Sequence, residues 1–272
     1  MRDLLDRLPS NFEMVALSLK AKPLLEGDDG PYIVVALQEC GRMNDLLSEI
    51  RQSLEDLHKG LEGQKNFSEE MSQLSDALSR NSWPSSWSKL SWPSEKSLSD
   101  NFQDLLNRCG QLEKWVLGEG GKDAFQRLDS IWLGGLFSPQ SYVTAMAQIQ
   151  SRKTNVPLDR LTITASILLP EESNREDDGI LATSLWLEGA SVEDDRVLLN
   201  AKSRELLSPI PLVKFQAVEV GDATKLPNMY EIPIYYTAQR GPQYLLSVDL
   251  PLGEEFSREK ATLGGAAIFL ST

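Results

Sequence analysis

Apolar residues recur at alternating intervals of three and four between Ile33 and Leu61. The positions that follow this rule are Ile33, Ala36, Cys40, Met43, Leu47, Ile50, Leu54, Leu57 and Leu61. This spacing places all of them on one side of an α-helix. Pro31 suits the first turn of such a helix, and Gly60 and Gly63 suit its end. The pattern predicts a helix of about thirty residues, ~45 Å long, whose narrow apolar stripe packs against partner helices.

The stretch from Ser97 to Leu117 repeats this pattern and is the natural partner of the first helix. Its apolar positions are Leu98, Phe102, Leu105, Cys109, Leu112 and Val116. A shorter helix is predicted for Ser68–Arg80, and another begins at Ser138-Pro139, where serine can cap the helix and proline fits its first turn. The first part of the chain is therefore predicted to be a bundle of long α-helices.

Three tryptophans, Trp83, Trp87 and Trp92, lie within ten residues of one predicted loop. Pro84 and Pro93 follow two of them and oppose helix formation there. Two interpretations stay open for this loop. Either the tryptophans fold back over helix ends, or they form an exposed docking surface, as in a free-standing adaptor that binds a protein partner.

The spacing of apolar residues changes at about Asn155, where short segments rich in Val, Ile, Thr and Tyr begin. Six of these segments are predicted strands: Leu161–Leu169, Ile180–Glu188, Leu212–Val220, Tyr230–Tyr236, Tyr244–Leu250 and Thr262–Leu270. Successive strands without helices between them indicate an antiparallel sheet, here a small barrel or sandwich. Gly264-Gly265 suggests a bulge or a barrel corner. The predicted fold class is α+β.

Composition narrows the choice of partners and location. The chain has 27 basic and 40 acidic residues, a net charge of −13 and a pI near 4.7. Such a chain repels phosphate, so we expect neither nucleic acid nor membrane as a partner. It has no apolar run long enough to span a bilayer and no signal peptide. Cys40 and Cys109 lie on the two apolar stripes, which predicts buried free thiols in an intracellular, reducing compartment.

A search for catalytic, cofactor or metal sites gives little. His58 is the single histidine and is interpreted as a solvated residue on the long helix. With two distant cysteines it cannot complete a zinc site of four nitrogen or sulfur ligands. The run Gly118–Asp123 resembles a phosphate-binding loop, but its spacing is too short and its last residue is not Ser or Thr. We interpret it as a flexible connection.

Acidic clusters are interpreted as solvated turns between strands. They are Glu171-Glu172, Glu176-Asp177-Asp178 and Asp194-Asp195. They lack the spacing of a calcium loop. An acid/base hydrolase that uses the carboxylates near Glu171–Asp178 is a further hypothesis, which the substitutions Glu172→Gln and Asp178→Asn would test, although nothing in the sequence selects a pair of carboxylates. No catalytic residue, cofactor or metal ligand is therefore predicted.

Several runs, in order along the sequence, resemble the C-terminal domain of dynein heavy chains. They are Gln38–Gly63, Ser85–Ser94, Trp132–Ala145, Ser151–Leu161, Leu187–Ala190, Tyr230–Gly241, Val248–Leu252 and Gly264–Leu270. The motifs QECxRMN and PxYxTxxRGPxY are more similar to those of axonemal than of cytoplasmic heavy chains, whereas the motifs WLGGLF and SWSK also occur in the cytoplasmic type. We therefore favour the axonemal type, in a ciliary or flagellar axoneme within the cytoplasm and cytoskeleton.

This resemblance implies a helical subdomain at residues 25–158 and an incomplete, six-stranded antiparallel β-barrel at residues 159–272. Residues 1–24 would be the end of the sixth AAA+ module. The domain would lie across one face of the AAA+ ring of the same heavy chain and modulate an ATP-driven, minus-end-directed motor. Nucleotide sites and the microtubule contact would lie upstream, so no functional residue can be assigned here. Dynein complex subunits and microtubules would be partners only through the parent protein.

Overall fold

The computed structural model describes residues 1–118, 123–168, 179–192, 196–221 and 228–270. Helices dominate the sequence up to Thr154 and strands dominate it from Leu161, so the predicted α+β class is confirmed. The protein divides into two compact units. The first, called the helical unit, comprises Met1–Leu24 and Ala36–Gln126, and the second, called the strand unit, comprises Leu25–Val35 and Arg127–Thr272.

Six of the α-helices among the described residues lie wholly or mostly in the helical unit. They are α1 (Arg2–Arg7), α2 (Met14–Ala21), α3 (Gly30–Leu61), α4 (Glu69–Ser79), α5 (Ser85–Ser88) and α6 (Leu98–Leu117). The long helix α3 is the predicted one, and it ends just before Gly63, which adopts a positive φ of 75°. Ser68 and Ser97 cap α4 and α6 by accepting a hydrogen bond from a backbone N–H in the first turn.

The apolar stripe of α3 is buried along its length except at its last position, Leu61, which is 60% exposed. The stripe is wider than predicted, because Glu39 and Leu46 are buried beside it. Burial raises the pKa of Cys40 to about 12, with smaller contributions from Glu39 and Cys109. Both thiols are free and buried, as predicted.

The strand unit contains α7 (Pro139–Thr154), α8 (Arg258–Leu263) and ten strands among the described residues. The strands are β1 (Leu161–Leu168), β2 (Ile180–Ala182), β3 (Leu185–Glu188), β4 (Ala190–Val192), β5 (Leu198–Asn200), β6 (Leu207–Ile210), β7 (Leu212–Glu219), β8 (Met229–Tyr235), β9 (Tyr244–Pro251) and β10 (Ala267–Phe269). They form three sheets with the orders β1-β7-β2, β6-β3-β10-β8-β9 and β4-β5. The described sheets do not close on themselves, so the barrel stays a prediction.

The predicted number of six strands is wrong for three physical reasons. The segment Ile180–Glu188 is broken by Ser184, whose φ is 59°, and its two halves join different sheets. The segment Thr262–Leu270 begins with the end of α8, and only its second half is a strand. Strands β4, β5 and β6 have three or four residues each, too few for a visible alternation.

The expectation of a purely antiparallel sheet is also corrected. Strand β10 pairs antiparallel to β3 on one side and parallel to β8 on the other. It therefore lies at the centre of the five-stranded sheet, with all three of its residues buried. Among the described residues, no helix is both long and apolar enough to cross a membrane.

Candidate functional site

The tryptophan loop is closed at its base by contacts between α4 and α6. Ser82 and Ser97 form an isolated antiparallel bridge. Asn81, which has a φ of 53°, accepts a hydrogen bond from the N–H of Leu98 through its backbone carbonyl oxygen, at 2.8 Å. Asparagine tolerates this left-handed conformation better than most residues. The loop therefore begins and ends at fixed points, which brings its three indoles together beside α3.

The indoles form a cluster in which two of the three are buried. Trp87 is fully buried, and its Nε1 donates a hydrogen bond to Oγ of Ser53 on α3, at 2.9 Å. Trp92 is buried as well. Trp83 is half-buried and packs edge-on against Trp87, with ring centres 5.1 Å apart. This arrangement favours the interpretation that the loop folds back over the helices. Docking of a partner to Trp83, Trp87 and Trp92 stays a prediction.

Arg108 completes the cluster, although the apolar pattern of the sequence does not include it. Its guanidinium carbon lies 3.8 Å from the ring centre of Trp92, and the whole side chain is buried on α6. A buried cation is tolerable only where its charge is compensated, and the face of an indole supplies part of that compensation. Asn101, Arg108 and Trp115 are spaced by seven residues and are all buried. This seven-residue spacing is the sequence pattern that could have indicated a second row of buried residues on α6.

His58 lies at a partly exposed position of α3, as predicted. Its side chain is 31% exposed, and Nε2 is 3.3 Å from a carboxylate oxygen of Glu62, one turn further along the helix. The interpretation as a solvated helix histidine is confirmed. Within the described ranges, no group of three or more His, Cys, Asp or Glu side chains is placed to hold a metal ion.

Several predicted features lie outside the described residues. The run Gly118–Asp123 lies mostly there, since only its two end residues are described. The acidic clusters at Glu171-Glu172, Glu176-Asp177-Asp178 and Asp194-Asp195 lie there completely. The hydrolase hypothesis on the carboxylates near Glu171–Asp178 therefore stays a prediction.

In the strand unit, the run Trp132–Ala145 is tied to the last strand by close backbone contact. A Cβ atom on Gly134 would clash with the carbonyl oxygen of Leu270, so only glycine fits there. The buried hydroxyl of Tyr236 lies 2.8 Å from the carbonyl oxygen of Leu136 and 3.0 Å from that of Gly134. One hydroxyl proton is thus shared between two carbonyls. These contacts give a physical reason for Gly134 and Tyr236 in the resembling runs.

A second tie centres on Arg240, which lies between β8 and β9. Its Nη2 is 2.6 Å from a carboxylate oxygen of Glu188 and 2.8 Å from the carbonyl oxygen of Gly265. The guanidinium also lies 5.6 Å from the ring centre of Phe269. Arg240 has a φ of 56° and a ψ of −143°, a conformation that residues other than glycine rarely adopt. No local pattern in the sequence signals this tie, which joins three of the resembling runs.

The described residues thus form a tryptophan cluster on the helices of one unit, whereas in the other Gly134 and Arg240 contact the end of the sequence and Tyr236 contacts Gly134. Comparison with known proteins then identifies the family. The family described as the C-terminal domain of the dynein heavy chain matches residues 1–270. The chain therefore belongs to this family of dynein C-terminal domains and is a component of a dynein motor.

Similar proteins of known name indicate which type of dynein heavy chain this is. The chain is 36% identical, over 98% of its length, to the ciliary dynein beta chain of Heliocidaris crassispina. It is 34% identical, over 99% of its length, to human dynein axonemal heavy chain 9, and 33% identical, over 98%, to the flagellar outer arm beta chain of Chlamydomonas reinhardtii. The preference for the axonemal type and an axonemal location is confirmed. The chain spans about 6% of the length of each of these relatives.

Proposed function

We propose that this chain is the structural and regulatory C-terminal part of an axonemal dynein heavy chain. It packs on the AAA+ ring of the same heavy chain and modulates the output of an ATP-driven, minus-end-directed microtubule motor. The observation that carries the proposal is the family match over residues 1–270, within relatives of which the match spans only 6%. Nearly all of the heavy chain is left to carry the nucleotide sites and the microtubule contact.

The surface of the helical unit supports ring packing. Val15 and Leu19 lie one turn apart on α2 and are 75% and 68% exposed. Two large apolar side chains on one helix face, exposed to this degree, are typical of a surface that another protein part covers. Residues 1–24 are proposed to be the end of the sixth AAA+ module, which would place α2 at this boundary.

The strand unit is proposed to be an incomplete barrel that tunes the motor. Its ties at Gly134, Tyr236 and Arg240 make it a stiff body, because they fix backbone segments far apart in sequence. A stiff body on a ring can resist or direct the movement of the modules that it touches. In this proposal the C-terminal part has no catalytic role, and complex subunits and microtubules are partners through the parent protein.

Truncation of the heavy chain tests this function. A motor that ends at Gln126 lacks the strand-rich part, and a motor that ends at Leu158 keeps α7 without the strands. We expect both to retain nucleotide binding but to differ from the intact motor in force, processivity and the coupling of ATPase to movement. An intact motor with Gly110→Ala is the control, because that helix position has open space for a methyl group. Unchanged values of all three quantities in both truncated motors contradict the regulatory role.

The adaptor function is the alternative proposal, and the half-buried Trp83 favours a narrow version of it. The exposed part of this indole and Leu90, which is also exposed, are apolar surface that the loop presents. Trp83→Ala would weaken capture of a partner without unfolding the loop, whereas Trp87→Ala would unfold it. Native mass measurement of dynein complexes with each variant distinguishes the two: loss of one subunit with Trp83→Ala alone supports docking.

A further inference from the structure

The segment between α1 and α2 is held on α3 by a set of polar side chains, called here the clasp: Asn44, Ser48 and Arg51. They are spaced by four and three residues and therefore share one face of α3. The segment that they hold, Pro9–Phe12, connects α1 to α2 and has no regular secondary structure. Asn44 and Arg51 lie within Gln38–Gly63, one of the runs that carry the resemblance, but their spacing alone indicates no role for either.

Asn44 binds both backbone groups of a single residue. Its Oδ1 accepts a hydrogen bond from the N–H of Phe12 at 2.7 Å, and its Nδ2 donates one to the carbonyl oxygen of Phe12 at 2.8 Å. A side-chain amide that pairs in this way replaces the partner that a neighbouring strand would supply. The position of Phe12 along α3 is fixed by this pair, whatever its side chain contacts.

Arg51 holds the preceding residues through two charge-assisted hydrogen bonds. Its Nη1 donates to Oδ1 of Asn11 and its Nη2 to the carbonyl oxygen of Pro9, each at 2.7 Å. Nδ2 of Asn11 in turn donates to Oγ of Ser48 at 2.8 Å. Because the guanidinium group is planar and rigid, both hydrogen bonds keep good geometry only in one position of their acceptors. Arg51 therefore restricts the position of Pro9 and Asn11.

Directional polar bonds, rather than a large apolar face, thus set the register of this segment on α3. Leu17 and Ala21 are the buried residues of α2, while Val15 and Leu19 point away from the core. A shift of the segment by one residue would break every bond of the clasp at once, whereas a purely apolar contact would allow sliding. The apolar stripe of α3 lies on an adjacent face, so the clasp can be removed without emptying the core.

We propose that the clasp is a mechanical coupling point: it locks the segment Pro9–Phe12 on α3, so that a displacement of the residues before Pro9 moves α3 instead of being lost by sliding. This inference rests on the proposed function, in which the C-terminal part modulates the motor. It names the residues through which movement enters the long helix. Loss of the clasp uncouples the strand-rich part from the ring while both parts stay folded.

Hydrogen exchange in the intact heavy chain tests whether the clasp holds the segment. The variants are Asn44→Ala, Arg51→Ala and the double variant, with Arg42→Ala as the control, an exposed arginine on the same helix. We expect the amide of Phe12 to exchange about tenfold faster in the double variant, because its N–H donates to Oδ1 of Asn44 and this bond is gone. Amides of the α3 stripe between Met43 and Leu57 keep their protection, and Arg42→Ala changes neither set.

Motor assays on the same proteins test the coupling. We expect the distance moved per ATP hydrolysed to fall at least about twofold in the double variant, with the Arg42→Ala motor unchanged. Asn44→Asp keeps the acceptor for the N–H of Phe12 and loses the donor, so its effect should lie between wild type and Asn44→Ala. A purely structural defect would instead reduce protection in the α3 stripe and fail to follow this graded order.

Two outcomes overturn the inference. Unchanged exchange of the Phe12 amide in the double variant means that the clasp does not hold the segment. Faster exchange with unchanged distance per ATP means that it holds the segment but transmits nothing. The proposed function fails separately, through the motors truncated at Gln126 and Leu158. If those motors behave normally while the double variant is uncoupled, the regulatory proposal is wrong and the clasp acts within the ring.

Discussion

The contacts inside the helical unit differ in kind from those inside the strand unit. In the helical unit, the important contacts join side chains of continuous helices and the tryptophan loop: the indole of Trp87 to Ser53, and the guanidinium of Arg108 to Trp92. In the strand unit they involve backbone groups of separate segments, as when the Tyr236 hydroxyl meets the carbonyl of Gly134. The stability of the helical unit therefore depends mainly on the volume of buried side chains. The stability of the strand unit depends mainly on close approach between backbone segments.

This contrast predicts that the smallest possible substitution has opposite effects in the two units. Gly134→Ala adds a methyl group that would clash with the Leu270 carbonyl, so we expect a loss of about 4 kcal/mol or more. Gly110→Ala, on α6, meets open space and should gain roughly 0.5–1 kcal/mol from helix propensity. Denaturant unfolding, followed separately by hydrogen exchange in each unit, measures both. Equal effects would show that the contrast between the units is false.

Removal of side-chain volume should act mainly in the helical unit. Trp87→Ala deletes a fully buried indole and its bond to Ser53, and we expect a cost of about 3–4 kcal/mol. Trp83→Ala removes a half-buried ring and should cost about half as much. Exchange of α3 amides near Ser53 reports the effect. A smaller cost for Trp87 than for Trp83 would mean that the cluster is not anchored as described.

The shared proton of Tyr236 gives an intermediate test in the strand unit. Tyr236→Phe leaves two buried carbonyl oxygens without this donor while it keeps the ring, and we expect a loss of about 2 kcal/mol. Tyr230→Phe, at a partly exposed position on β8, is the matched control and should cost little. Chemical unfolding compares the two variants. A near-zero cost for Tyr236→Phe would show that the junction is held by the Gly134 contact alone.

The smallest expected effect is a loss of stability of the helical unit at alkaline pH. Burial raises the pKa of Cys40 and of Cys109 from 9.0 to about 12. Between these values the unfolded protein has lost the thiol protons and the folded protein has kept them, so stability falls as pH rises. We expect each thiol to contribute a loss of about 1 kcal/mol between about pH 9 and 10.

The pH slope, rather than the stability itself, identifies the thiols. The double variant Cys40→Ala, Cys109→Ala creates small cavities and lowers stability at every pH. Its decline between about pH 9 and 10 should nevertheless be shallower than that of the natural protein, measured under reducing conditions. Parallel slopes for the two proteins would indicate that the thiols ionise alike in the folded and unfolded states.

The helices can be predicted well because each one carries its signal within a short stretch. The alternation from Ile33 to Leu57 corresponds closely to the buried side of α3, and Ser68 and Ser97 cap the helices that they precede. The strand count fails because β4, β5 and β6 are too short to show alternation. The docking surface is predicted from composition alone, whereas burial of its indoles depends on contacts such as that of Trp87 with Ser53, which no local pattern links to the loop.

Residue spacing, composition and an ordered set of runs are enough to define the helical layer, the change to strands near Asn155, the free thiols and the family. They are not enough to define the contacts between distant segments. The folded structure was needed to show that β10 lies at the centre of a sheet, that Arg240 joins Glu188 to Gly265, and that the clasp holds Pro9–Phe12. The reason is physical: such contacts join residues at least 25 positions apart, and their geometry exists only when the segments concerned are folded together.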